Sequence, residues 1–140
     1  MRKILISGAS RGIGKAIAIK LLKEGNYVSL GIRNRNSLTN TKLDNEKNPS
    51  KKLIIHNYNA IDNQSSKAWI NKTVSTFQGV DTLIHCAGIL KKTKLIFKDD
   101  EIEDIEDIWK INVMGPWFLT RNAWNYLSMN KNGRIIVLVS

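Results

Sequence analysis

The sequence predicts an α/β protein: a parallel sheet with helices on both faces. Two observations carry this. Short apolar runs of β type alternate with segments of helical period. The runs are also continuously apolar, as strands are when both faces of a sheet are covered. In chain order, Lys3–Ser7 is a first strand, ending at Gly8. Ile13–Lys23 places apolar residues at 13, 16, 17, 21 and 22, the spacing of a helix face, and Gly25-Asn26 stops it. Tyr27–Ile32 and Leu53–Asn57 are the second and third strands, joined by the polar stretch Arg33–Lys52. Asp62 caps a helix running to about Gln78, which Gly79 ends. Val80–Cys86 is the fourth strand, a long helix starts near Asp100, and Arg134–Val139 is the fifth strand.

The 140 residues suit one domain, and 42% are apolar, which excludes wholesale disorder. A lone cysteine excludes a disulfide framework. Cys86 itself reads as a small apolar core residue rather than a reactive thiol. Apolar runs reach only five residues (Ile135–Val139), so no membrane span is expected. Ile4-Leu5-Ile6 is too short for a signal-peptide core, so the expected compartment is cytoplasmic. The net charge is +10, yet seven of the twelve acids fall within Asp99–Asp107. The five other acids against 22 basic residues leave +17 on the remainder. That excess keeps a nucleic-acid-binding reading open. The basic residues are scattered and not interleaved with aromatics, so no nucleic-acid partner is expected.

Ser7-Gly8-Ala9-Ser10-Arg11-Gly12-Ile13-Gly14 joins the first strand to the first helix. Glycines there let the backbone approach a diphosphate, and a helix N-terminus offers free N–H groups and partial positive charge. A Walker A loop is excluded: Gly8 and Gly14 are separated by five residues where it needs four, and Ala16 follows Lys15. The pattern is G-x-x-x-G-x-G.

With these landmarks the chain resembles the short-chain dehydrogenases/reductases. Gly8-x-x-x-Gly12-x-Gly14 is similar to their cofactor fingerprint. His85-Cys86-Ala87-Gly88 stands where they carry Asn-Asn-Ala-Gly. Asn112 falls at the place of their catalytic Asn, and Gly133–Ser140 resembles the fifth strand ending at their catalytic Ser. The resemblance implies a Rossmann-type doubly wound sheet of five strands in the order 3-2-1-4-5, lacking the family's last two strands. It implies an NADP(H)- or NAD(H)-dependent enzyme interconverting a small carbonyl compound and an alcohol. It also implies a homo-oligomer if a full-length chain exists, with Trp117, Phe118, Trp124 and Tyr126 as core or subunit-contact residues.

On this resemblance the cofactor-binding residues are Gly8, Ser10, Arg11, Gly12, Ile13, Gly14, Arg33, Asn59, Ala60, Ala87 and Gly88, and the catalytic ones Asn112 and Ser140. Sites of this type that hold NAD usually carry an acid after the second strand. Here Gly31-Ile32-Arg33-Asn34-Arg35 has none, and a guanidinium suits a 2′-phosphate, so NADP(H) is expected over NAD(H). The alternative is that Arg33 and Arg35 are solvated loop cations. The acids at 99–107 complement a helix dipole, and no metal site is expected.

Ile102, Ile105, Ile108, Trp109 and Asn112 share one helical face, which points Asn112 at the core or a pocket wall. Pro116 has no N–H, so the carbonyl of Asn112 loses its helical donor and a break is expected there. In the family this Asn holds a water in a proton relay to a Lys that belongs to a Tyr-x-x-x-Lys motif. None of Tyr27, Tyr58 and Tyr126 stands four residues before a Lys. Residues 1–140 are therefore expected to be one incomplete nucleotide-binding domain, inactive alone: the cofactor half of a longer enzyme, or a non-catalytic dinucleotide-binding module. The fifth strand should then be a bare apolar edge.

Overall fold

A computed structural model describes residues 1–139. β1 (Lys3–Ser7), β2 (Tyr27–Ile32), β3 (Leu53–Asn57), β4 (Thr82–His85) and β5 (Arg134–Val137) form one sheet in the order β3-β2-β1-β4-β5. Every neighbouring pair is parallel. The helices are α1 (Gly12–Lys23), α2 (Asn63–Phe77), α3 (Ile102–Trp109) and α4 (Gly115–Met129). A π-helical turn, Lys110–Met114, joins α3 to α4.

Side chains alternate across a strand, so each central strand feeds two cores. Ile4, Ile6 and Ile84 pack on the α1 side with Ala18, Val28 and Leu30. Leu5 and Leu83 pack on the opposite side with Trp69 and Ile70 of α2 and Leu119, Ala123 and Leu127 of α4. The polar Arg33–Lys52 stretch is not a free loop, since Leu38 and Leu43 are buried in the first core. In the second core, Trp69 lies over Gly31, where a Cβ would come within 2.4 Å of the indole ring. The indole N–H donates to the Ser29 hydroxyl at 2.9 Å, and Ser29 meets the Thr73 hydroxyl at 2.7 Å. These buried polar groups are thus paired, as burial requires.

The expected helical face of α3 is not a core face. No residue of α3 is buried, and Ile102 and Trp109 are exposed. The extra residue of the π turn shifts the helical phase, and Leu119, Ala123 and Leu127 of α4 carry the packing instead. Trp117 and Trp124 are likewise exposed rather than core. β5 lies at the sheet edge, and Ile135, Ile136 and Val137 are exposed. Among the described residues no helix is long and apolar enough to cross a membrane.

Candidate functional site

The sheet order reverses between β1 and its two neighbours, β2 and β4. Open parallel sheets bind ligands in the crevice beyond the carboxyl ends of strands at such a reversal. The residues after β1 and β4 meet there. Gly8 has φ +72°, and a Cβ on it would lie 2.5 Å from the Ala87 nitrogen. Gly14 packs against the same turn, its added Cβ falling 2.5 Å from the Gly8 oxygen. Gly12, at φ +55°, differs: nothing lies within 4 Å of its would-be Cβ. Gly12 and Ile13 are exposed, and Ser10 is half-buried. Arg11 is the N-cap of α1 with no side-chain cap bond, and the first turn of α1 holds no acid. The helix therefore opens onto the crevice with its first N–H groups uncapped by side chains.

Ser7 ties the exit of β4 to β1. Its carbonyl accepts from the Cys86 N–H at 3.1 Å, and its hydroxyl lies 3.3 Å from both the Cys86 and Ala87 nitrogens, which donate to it. Cys86 is half-buried against the first core, and burial pushes its thiol pKa up, the opposite of a reactive cysteine. His85 is buried. Its Nε2 lies 2.9 Å from the Thr120 hydroxyl, its Nδ1 has no partner among the described residues, and burial lowers its pKa to about 4.

Asn112 sits in the π turn, where Pro116 of the following turn cannot supply an N–H. Its side chain is exposed and turned to the loop after β4 rather than to the core. The Ile89 N–H donates to Asn112 Oδ1 at 2.9 Å, and Asn112 Nδ2 donates to the Ile89 carbonyl at 2.8 Å. Gly88 lies beneath, with Asn112 Oδ1 3.3 Å from where its Cβ would be. Two residues further on, Lys91 bridges Asp104 and Asp107.

Arg33 and Arg35 are exposed at the end of β2 and line a cleft of about 350 Å³ with Asn34, Ile55, His56 and Asn57. Among the described residues no carboxylate lies within ion-pair distance of Arg11, Arg33 or Arg35. A larger open groove, about 670 Å³, lies along α1 at Ala16, Ile19, Lys20 and Lys23. It is lined by none of the crevice residues. Asn59 shapes the turn after β3, its Oδ1 accepting from the Ile61 N–H at 3.3 Å. Ala60 packs on α4, where a Cβ on Gly115 would come within 2.8 Å of its own. Asp62 caps α2, accepting from the Gln64 N–H at 2.8 Å. Ser140 lies outside the described residues. The structure thus brings Gly8, Gly14, Ala87, Gly88 and Asn112 into one constellation, while Arg33 lies on the neighbouring strand end, that of β2, which meets the turn where the Gly8 N–H donates to the Gly31 carbonyl at 3.1 Å. Thr120 and Lys91 belong to the same neighbourhood but carry no motif that marks them, and Ser7 and His85 lie in the motifs but are not among the expected site residues.

The family model described as short chain dehydrogenase matches residues 2–140. The chain belongs to the short-chain dehydrogenase/reductase family. Agropine synthesis reductase of Rhizobium rhizogenes is 34% identical over 134 residues, covering 95% of this chain and 30% of that one. The L-rhamnose 1-dehydrogenase (NADP(+)) of Thermoplasma acidophilum is 30% identical over 143 residues, covering 99% and 54%. The crystal structure of a short-chain dehydrogenase from Streptomyces avermitilis superposes with a TM-score of 0.85 at 22% identity, covering 98% and 48%. The chain therefore spans about half the length of its structural neighbour and 30% and 54% of these two relatives. As a short-chain dehydrogenase/reductase it has the Rossmann-like sheet in the order that the resemblance implies.

Proposed function

We propose that residues 1–140 form the nucleotide-binding domain of an NADP(H)-dependent reductase or dehydrogenase acting on a small carbonyl or alcohol substrate in the cytoplasm. The observation that carries this is the acid-free, arginine-bearing end of β2 beside a glycine turn left open at Gly12. The residues present fit the cofactor, because the space over Gly12 is free of protein and the amides of α1 face it.

In this reading Gly8, Ser10, Gly12, Ile13 and Gly14 hold the diphosphate, with the N-terminal N–H groups of α1 as donors. Arg33, aided by Arg11, grips the 2′-phosphate through charge-assisted hydrogen bonds. Asn59 and Ala60 border the adenine, and Ala87 and Gly88 let the ribose approach the backbone. When bound, the nicotinamide supplies or accepts a hydride. Asn112 fixes the Ile89 backbone beside that site, and Ser140 orients the substrate oxygen. A Tyr-x-x-x-Lys pair is not among the 140 residues. The role assigned to these residues is therefore binding and orientation, and turnover is assigned to the whole enzyme. The exposed Trp117 and Trp124 fit a subunit contact in that enzyme.

Calorimetric titration of the 140-residue chain tests this. NADPH is expected to bind more tightly than NADH. Arg33→Asp should weaken NADPH by about tenfold or more, leaving NADH within about threefold. Equal weakening of both would show that Arg33 does not meet the 2′-phosphate.

A further inference from the structure

From Cys86 to Lys98 the backbone has no helix or strand, and this segment contains the Ala87-Gly88 backbone assigned above to the ribose. Apolar packing does not hold its far part in place. Leu90, Leu95 and Ile96 are among the most exposed apolar residues of the molecule, at 87%, 97% and 89%. Its position rests on polar contacts to one helix. Asn112 holds both backbone groups of Ile89. Lys91 Nζ then reaches Asp104 Oδ1 at 2.6 Å and Asp107 Oδ2 at 2.8 Å. Among the described residues, no other side-chain hydrogen bond ties residues 90–97 to the rest of the protein.

We propose that Lys91 is a positioning residue: by bridging Asp104 and Asp107 it fixes the loop after β4 so that the Ala87–Ile89 backbone faces the nucleotide. This rests on the nucleotide reading above. The geometry suits a lysine, because one ammonium has three donors and can satisfy two carboxylates at once. It also relieves a repulsion. Asp104 and Asp107 are one turn apart on the same face of α3, a destabilising like-charge pair when no cation lies between them. The hydrogen bonds it donates to both acids hold the Lys91 ammonium above the usual lysine range, and the bond from Lys91 holds the Asp107 carboxyl below its usual range. Without Lys91 the loop loses its second attachment, and the acids that received it repel one another. The Ile89–Asn112 pair then has to hold the loop alone.

The test compares the wild-type 140-residue chain with Lys91→Met, Lys91→Arg and, as a neighbouring-charge control, Lys92→Met. Hydrogen exchange at the Ile89 amide is measured without nucleotide, and NADPH affinity by calorimetry. Lys91→Met should speed Ile89 exchange by about tenfold and weaken NADPH by about fivefold. Lys91→Arg should restore both to within about twofold, and Lys92→Met should change neither. Unchanged Ile89 exchange in Lys91→Met would overturn the tether. Faster exchange with unaltered NADPH affinity would show a purely structural bridge and overturn the positioning role. A wild-type chain that binds no NADPH would overturn the nucleotide reading itself, and the exchange data would still show whether the tether holds the loop.

Discussion

Gly8 and Gly12 share a positive φ, but the space around them separates their roles. An alanine at Gly8 would combine left-handed strain with a Cβ 2.5 Å from the Ala87 nitrogen, where only backbone could give way. Gly8→Ala is expected to lower stability by roughly 2 kcal/mol or more in urea unfolding. Gly12→Ala meets open space and should cost only about 1 kcal/mol, while weakening NADPH by about tenfold, since its methyl enters the nucleotide's approach. His85 makes a different prediction. Burial lowers its pKa to about 4 from 6.5. The unfolded chain therefore takes up a proton near pH 6.5 that the folded chain resists until about pH 4. Stability should fall as pH drops through that window, by roughly 3 kcal/mol in all, and level off below it. Urea midpoints at pH 7 and pH 5 should differ more in the wild type than in His85→Asn. The sequence marked position 85 as a departure from the family pattern. It could not show that the ring would be buried with Nε2 against Thr120, because Thr120 approaches from α4, far along the chain.

The elements most legible in the sequence are those with apolar runs bounded by turn residues. β1, β2 and β3 occupy the segments read from it. β4 is shorter than the expected Val80–Cys86, spanning Thr82–His85, and Asp81 just before it turns its carboxylate to the Lys3 N–H at 2.9 Å and to Arg2 at 3.5 Å. α2 ends at Phe77, close to the expected Gln78, and Gln78 itself takes the left-handed conformation of the cap, with Gly79 following at φ +135°. Pro116 gave away the helix break through its missing N–H, although the π form of the turn had no signature. Leu38 and Leu43 are isolated in a polar stretch, so no periodicity announced their burial. Lys91 was invisible for the same reason: a bridge across a loop follows no repeat. Asp62 caps α2 as its place before the helix predicts, accepting from the Gln64 N–H. Asp62→Ala should cost about 1 kcal/mol in thermal or urea unfolding while leaving NADPH affinity unchanged. A selective loss of affinity would make Asp62 part of the adenine site.

At the scale of the whole molecule, topology turns local signals into a site. Gly8 and Ala87 are distant in sequence, and only the placement of β4 beside β1 brings them into contact. That order was available through the resemblance of four landmarks, not from the strands themselves. The same topology sets α1, with an uncapped N-terminus, against a crevice whose neighbouring strand end carries Arg33 and Arg35 and no acid. The exposed β5 face and the exposed tryptophans of α4 are apolar surface that this arrangement leaves uncovered. The most direct measurement is a crystal structure of the chain grown with NADPH. The diphosphate should lie over Gly12, within hydrogen-bond distance of the N–H groups of Gly12–Gly14, with the 2′-phosphate against Arg33. A nucleotide bound elsewhere, with Gly12 and Ile13 covered by other parts of the chain, would contradict the glycine turn as its seat.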